Sequence, residues 1–223
     1  MGVHEFRSPD DAEAPQLFVR RRAEMIRTIA ARGIRNGRVL AAMAAIERHH
    51  FVPPDLVHDA YSDRALPIGS GQTISQPFMV AIMATAARPG PEDVLVEIGA
   101  GSGYGAAVLA ALARRVITVE RDPDLAEAAA RNLGAAGCHN VEVVVGDGTA
   151  GWPAEAPYDA IVVTAAPRRV PPRLIDQLAE GGRLVIPLGR PRQVQRLWRL
   201  ERAGDTVERT ALGPVRFVPL VGD

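Results

Sequence analysis

The chain has 223 residues, 47% of them hydrophobic, and its 26 basic residues balance 26 acidic ones. That content is ample for a core, and zero net charge argues against a sequence-independent nucleic-acid binder, which carries a basic excess. A single cysteine, Cys138, leaves no intrachain disulfide and argues against a cysteine-based metal site. With no apolar leader and no apolar run near ~18 residues, the chain reads as cytoplasmic, with no membrane partner.

Residues 1–16 are polar and are expected to fray as an N-terminal extension. From Leu17 the pattern is helical, with Phe18, Met25, Ile26 and Ile29 on one face and Gly33 as the stop. A second helix carries Val39, Leu40, Met43 and Ile46. The adjacent His49 and His50, with His58 beyond, lack the spacing of ligands on one helix face, so they read as surface or packing residues and no metal is expected. Phe51-Val-Pro-Pro54 then breaks the helices. The loop from Pro67 to Pro77 has polar residues Gln72, Thr73 and Ser75 directly before an apolar helix, Phe78 to Ala87. Ser75 either caps that helix or faces a substrate; the two roles are compatible.

The centre of the chain is Asp93 to Glu120. Val94 to Ile98 reads as a buried strand, followed by Gly99-Ala100-Gly101-Ser102-Gly103-Tyr104-Gly105. Tyr104, Val108, Ala111 and Leu112 then recur at helical spacing, and Val116 to Val119 form a second strand ending in Glu120. Glycines allow a tight turn and close approach of a ligand. An acid roughly 20 residues past them suits the hydroxyls of a ribose. Dinucleotide and S-adenosylmethionine sites share this pattern. Glu97, placed just before the glycines, is awkward beside a pyrophosphate but tolerable beside an ammonium and a sulfonium.

Further strands follow at Val141 to Val145, ending in Asp147-Gly148, at Tyr158 to Ala166, and at Leu184 to Leu188. Helices are expected at Pro123 to Leu133 and Pro171 to Ala179, with Gly181-Gly182 as a turn. The alternation implies a parallel sheet covered on both faces. Beyond Gly189 the segments Gln195–Leu200 and Thr206–Thr210 read as a hairpin and Val215 to Leu220 as a last strand, with at least one strand antiparallel. Gly99 to Gly103, Glu120, Asp147-Gly148 and Thr164 to Ala166 all fall at carboxyl ends of strands, where such sheets bind ligands.

The segments GQTISQP (71–77), VEIGAGSGYGAAVLA (96–110), VGDGTAGWPAEAPYDAIVVTAA (145–166), LIDQLAEGGRLVIPLG (174–189) and VRFVPLVG (215–222) closely resemble the protein-L-isoaspartate (D-aspartate) O-methyltransferase family. The resemblance covers residues 17–222 and implies an α/β, Rossmann-like class I methyltransferase. Its doubly wound, mostly parallel sheet would have an antiparallel C-terminal part and N-terminal helices. Residues 17–223 would form one domain, with the helices and substrate loop in 17–90 and the cofactor-binding sheet in 91–223. It implies S-adenosyl-L-methionine as cofactor, held by Gly71, Gln72, Thr73, Glu97, Gly99, Ala100, Gly101, Ser102, Gly103, Glu120, Asp147 and Gly148, and an active-site Ser75. Val221 stands where some relatives carry a polar residue. The implied substrates are isoaspartyl residues of damaged proteins and peptides, methylated on the free α-carboxylate by a monomer without nucleic-acid partners. A relative dedicated to one peptide or small-molecule carboxylate would use the same residues. A dinucleotide oxidoreductase is disfavoured by Glu97, and a silent binding module by the intact set of site residues.

Overall fold

Apolar strands that bury both faces need cover on both sides of their sheet. In the computed structural model, which describes the backbone of residues 9–222 and the side chains of residues 16–222, the main sheet is built in this way. Among the described residues its seven strands are β3 (Val94–Ile98), β4 (Arg115–Glu120), β5 (Val141–Val145), β6 (Tyr158–Val163), β7 (Leu178–Leu188), β8 (Gln195–Ala203) and β9 (Thr206–Val215). A separate hairpin pairs β1 (Leu66–Gly69) with β2 (Gln72–Ile74). The helices are α1 (Pro9–Ala31), α2 (Gly37–Ala45), α3 (Pro77–Ala87), α4 (Tyr104–Ala110), α5 (Pro123–Ala135) and α6 (Pro172–Asp176).

The strand order is β5-β4-β3-β6-β7-β8-β9, parallel from β5 to β7 and antiparallel at β8 and β9. The chain winds outward from β3 to β5, then returns to place β6 on the other side of β3. Right-handed crossovers therefore put α4 and α5 on one face and α6 on the other. Two cores follow: Leu95, Val116, Val162 and Leu133 pack on the first face with the N-terminal helices, while Val96, Ile98, Ile117, Ile161 and Leu174 pack on the second. The reversal of strand order leaves a crevice beyond the carboxyl ends of β3 and β6.

Several boundaries differ from the sequence reading. The first helix starts at Pro9, not Leu17, so the expected fraying does not hold for residues 9–16, and residues 1–8 lie outside those described. Proline followed by acids is a composition that favours a helix start, which the polar appearance of the segment concealed. Gly181 and Gly182 do not end an element; β7 runs through them with a slip of register against β6, and α6 is correspondingly shorter than Pro171 to Ala179. At the end of the chain β9 continues to Val215, and residues 216–220 form no regular strand. Only the bridge Ala166–Pro219 pairs there, because proline lacks the N–H that a ladder requires. His49 and His50 lie on a 3-10 turn, Arg48–Phe51, and their rings stand 4.2 Å apart instead of diverging as on an α-helix. Among the described residues no helix is long and apolar enough to cross a membrane.

Candidate active site

The chain turns sharply where β3 ends. Gly99 has a φ of +95°, and a Cβ there would lie 2.3 Å from Thr164 Oγ1. That hydroxyl, just past β6, donates toward the carbonyls of Ile98 and Gly99 at 3.0 and 2.8 Å, tying the two strands at the point where strand order reverses. From β4, Glu120 holds the loop from the other side. Its Oε2 accepts from the Gly101 N–H at 2.9 Å, and its Oε1 accepts from the N–H groups of Arg121 and Asp122 at 2.8 and 3.1 Å. The carboxylate that suits a ribose diol is thus fixed in place by backbone donors.

Glu97 is 1% exposed beneath α4. Its Oε2 accepts from Thr118 Oγ1 at 2.7 Å, and the glycine at 105 leaves room for it: a Cβ there would stand 2.2 Å from Glu97 Oε1. Burial, reinforced by the Glu120 charge and only partly opposed by the Thr118 and Ala106 hydrogen bonds, pushes the Glu97 carboxyl up to about 8. Enclosure thus favours the protonated carboxyl at neutral pH. The unfolded chain loses this proton near 4.5 whereas the native state keeps it to about 8. Glu97 therefore contributes stability that is complete below about pH 4.5 and lost as pH rises through about 8. Glu97→Gln is expected to flatten the stability decline across that window, as read from urea midpoints. An unchanged slope would show that Glu97 is already ionised in the native state.

The β1–β2 hairpin forms the opposite wall. Ile68 lies against Gly101, with Cδ1 3.3 Å from where a Cβ would be, and the Ser70 side chain bonds to Asp122. Ser75 follows β2 and lines the crevice, half-buried, and its hydroxyl has no hydrogen-bond partner among the described residues. It does not cap α3. The cap residue is Gln76, without a side-chain cap bond, and the donor at Phe78 N is met at 3.0 Å by Asp63 Oδ1, from fifteen residues upstream. Asp63 also accepts from Gln76 Nε2, through its carbonyl at 2.7 Å and Oδ2 at 2.9 Å, so it fixes the backbone on the far side of Ser75.

The C-terminal tail closes the remaining side. Buried Gln195 grips the Phe217 backbone, accepting from its N–H at 2.7 Å and donating to its carbonyl at 3.1 Å. The Ala166 N–H donates to Val218 O at 2.7 Å and the Leu220 N–H to Ala166 O at 3.1 Å. The crevice, partly open to solvent, has a volume of about 930 Å³. Gln72, Thr73, Ser75, Glu97, Gly99, Ala100, Gly101, Ser102, Glu120, Gly148 and Val221 all line it. Gly71, Gly103 and Asp147 do not. Gly71 is exposed at the hairpin tip, Gly103 packs toward Leu133, and Asp147 accepts from the Thr149 N–H at 2.8 Å. The sequence reading missed Asp122, Arg192, Arg216 and Phe217, which also line the crevice. Asp122 had a signal, since an Asp directly before a proline-started helix is an N-cap pattern; Arg216 and Phe217 lie within the closing VRFVPLVG segment, and Arg192 in a segment without a motif.

A doubly wound sheet with a glycine loop at its reversal point and acids at the ends of β3 and β4 is a Rossmann-like nucleoside-cofactor fold, and its match to a methyltransferase family and to a solved structure makes it the class I methyltransferase form. Residues 20–223 match the family Protein-L-isoaspartate(D-aspartate) O-methyltransferase (PCMT). The chain belongs to this family. A protein-L-isoaspartate O-methyltransferase of Methanoculleus marisnigri is 57% identical over 204 residues, covering 91% of this chain and 92% of that one. One of Roseiflexus sp. is 54% identical over 205 residues, covering 92% and 94%. A solved protein-L-isoaspartate O-methyltransferase superposes with a TM-score of 0.82 at 28% identity, over 90% of this chain and 66% of the other. A Plasmodium falciparum structure in complex with S-adenosyl-L-homocysteine shares the fold, with a TM-score of 0.78 at 24% identity, over 91% and 99% of the two chains.

Proposed function

We propose that Ser75 orients the reacting carboxylate of the substrate, and that the residues lining the crevice from Gln72 to Gly148 hold the cofactor. The activity is that of the family: S-adenosylmethionine-dependent methylation of the α-carboxylate of isoaspartyl residues in damaged proteins and peptides. The observation that carries the residue assignment is the meeting of Ser75, unbonded and half-buried, with the glycine loop and Glu120 in one crevice. The donor set suits the cofactor. Glu120 has the acceptor character for ribose hydroxyls, Glu97 gains by ionising beside a cation, and Phe217 and Val218 supply apolar wall. When bound, S-adenosylmethionine supplies an electrophilic methyl group on a sulfonium that departs as a neutral thioether. Arg192 and Arg216, which line the same crevice, support an anionic substrate. The zero net charge supports the reading without a nucleic-acid partner.

Little chemistry is asked of the protein. An α-carboxylate, with a pKa of roughly 3.5, is ionised at neutral pH and needs no general base. Its oxygen forms the new bond to carbon as the carbon–sulfur bond breaks, and that bond's electron pair stays on sulfur. The Ser75 hydroxyl donates to the carboxylate or an adjoining peptide carbonyl and holds it in line. Positioning of this kind supplies up to about 10 kcal/mol.

Ser75→Ala is expected to lower turnover at least tenfold while cofactor affinity and the melting temperature stay nearly constant. The stability expectation follows from the structure, since removing a hydroxyl that bonds none of the described residues changes folding by no more than about 0.5 kcal/mol. Kinetics, cofactor calorimetry and a thermal melt on one preparation give the answer. Unaltered turnover removes Ser75 from the reaction.

A further inference from the structure

We propose that Glu47, His49 and His50 form a binding site for one borderline divalent transition-metal ion, of which Zn²⁺ is the reference case. Each residue offers one ligand atom, and the three atoms lie within 4.8 Å of one another. Glu47 Oε2 is 4.0 Å from His49 Nε2 and 3.8 Å from His50 Nε2. Two ligand atoms bound to the same tetrahedral zinc at roughly 2.0–2.1 Å sit about 3.4 Å apart. The two Glu47 distances thus need a contraction of about half an ångström, and the His49–His50 pair, within 4.8 Å, one of up to about 1.4 Å, which the half-exposed Glu47 and His50 side chains supply by rotation.

The arrangement owes its shape to local backbone geometry. Glu47, the residue preceding the 3-10 turn, and His50 are three positions apart, which such a turn places one above the other, and the His49 ring lies 4.2 Å from that of His50. Outer contacts then orient the ligands. The Nδ1 of His49 is 2.7 Å from the Tyr61 hydroxyl, and Phe18 stacks on the ring at 4.3 Å. In the tautomer that donates from Nδ1, the Nε2 lone pair faces the cluster. Arg22 donates to Glu47 Oε1 at 3.0 Å, which leaves Oε2 to the two histidines. Metal-binding histidines and carboxylates are ordinarily held by second contacts of this kind.

The donor set selects the ion and its affinity. Two imidazoles and one carboxylate suit zinc, copper or nickel over calcium or magnesium, whose sites are built from oxygen. Three protein ligands leave a coordination position open to water or to an external donor. With only three ligands, and a guanidinium on the far oxygen of Glu47, the affinity belongs in the micromolar range, below that of four-ligand structural sites. Glu47 and His50 are 44% and 47% exposed in their side chains, so the ion enters directly from solvent. The histidine pair takes no part in the crevice, whose lining residues do not include it.

The test is a titration of the untagged full chain with Zn²⁺ by calorimetry, repeated with Co²⁺ to read its visible absorption. One equivalent is expected to bind, with an intense low-symmetry Co²⁺ spectrum and a melting temperature raised by several degrees at saturation. His50→Ala and Glu47→Gln, both at half-exposed positions that keep the fold, should each weaken binding at least tenfold. His58→Ala and His139→Ala should leave it unchanged. Absence of binding up to millimolar Zn²⁺, or binding that survives His50→Ala and Glu47→Gln unaltered, overturns the proposal. So does loss of binding in His139→Ala, which would place the ion beside Cys138.

Discussion

An isoaspartyl peptide is expected to be methylated at least a hundredfold faster than the same peptide with a normal aspartyl residue. In the isoaspartyl form the backbone runs through the side-chain carboxyl and leaves the α-carboxylate free. In the normal form the free carboxylate is one methylene further out, which moves the nucleophile by about 1 Å, a displacement that costs about a hundredfold in rate. The crevice enforces this distance because its walls are fixed. Asp63 pins the backbone beside Ser75, Glu120 pins Gly101, and Gln195 pins Phe217. Labelled methyl incorporation into both peptides, with chromatographic separation of the isomers, gives the ratio. The ester is expected to be base-labile, and some isoaspartyl peptide should reappear as the normal isomer through a succinimide. Equal labelling of both peptides would instead indicate a relative dedicated to another carboxylate.

Gly105→Ala is the second large effect, expected to destabilise the chain by about 2–6 kcal/mol. The new methyl group would stand 2.2 Å from Glu97 Oε1, in a region where that side chain is 1% exposed and bonded to Thr118. Overpacking of this kind costs about 1–3 kcal/mol, and a buried carboxyl torn from its donor costs a similar amount again. A long side chain on the surface would swing away freely; Glu97, held by Thr118 between β3, β4 and α4, can yield only by giving up that bond and moving toward the crevice it lines. The clash is specific, so a double-mutant cycle identifies it. In the Glu97→Ala background the same Gly105→Ala change should cost at least ~1 kcal/mol less. Equal costs in the two backgrounds would place the strain elsewhere, in the backbone of α4.

Much of this was legible in one dimension. Mostly apolar runs at Val94–Ile98, Val116–Val119 and Tyr158–Val163, each broken by a single polar residue, gave parallel strands, because a strand buried on both faces has no polar alternation to display. The glycines from Gly99 to Gly103, and Glu97 and Glu120 on either side, pointed to the carboxyl ends of neighbouring strands before any coordinate. The stretch from Gly71 to Pro77 stood out as a polar loop before a helix, while the role expected of Ser75 came from the family resemblance and not from spacing. Each of these signals is local, carried by residue type and spacing within some thirty positions.

The remainder depends on residues far apart in the chain. That Asp63 and not Ser75 meets the N–H of Phe78 follows from a fifteen-residue return of the backbone. Gln195 holding Phe217, and Thr164 holding Gly99, are contacts between segments whose sequences show nothing of one another. Glu97 stood out beside the glycines as a charge, yet enclosure beneath α4 keeps it protonated to about 8, since burial penalises the ionised form. The histidines were judged by helix spacing, but the structure brings their rings to 4.2 Å and sets His50 over Glu47 three positions earlier. The sequence by itself determined the class of fold and the stretch that builds the site, because periodicity and glycine placement act locally. Only the tertiary structure decided which polar group satisfies which, because desolvation and hydrogen-bond pairing are settled between elements that meet after folding.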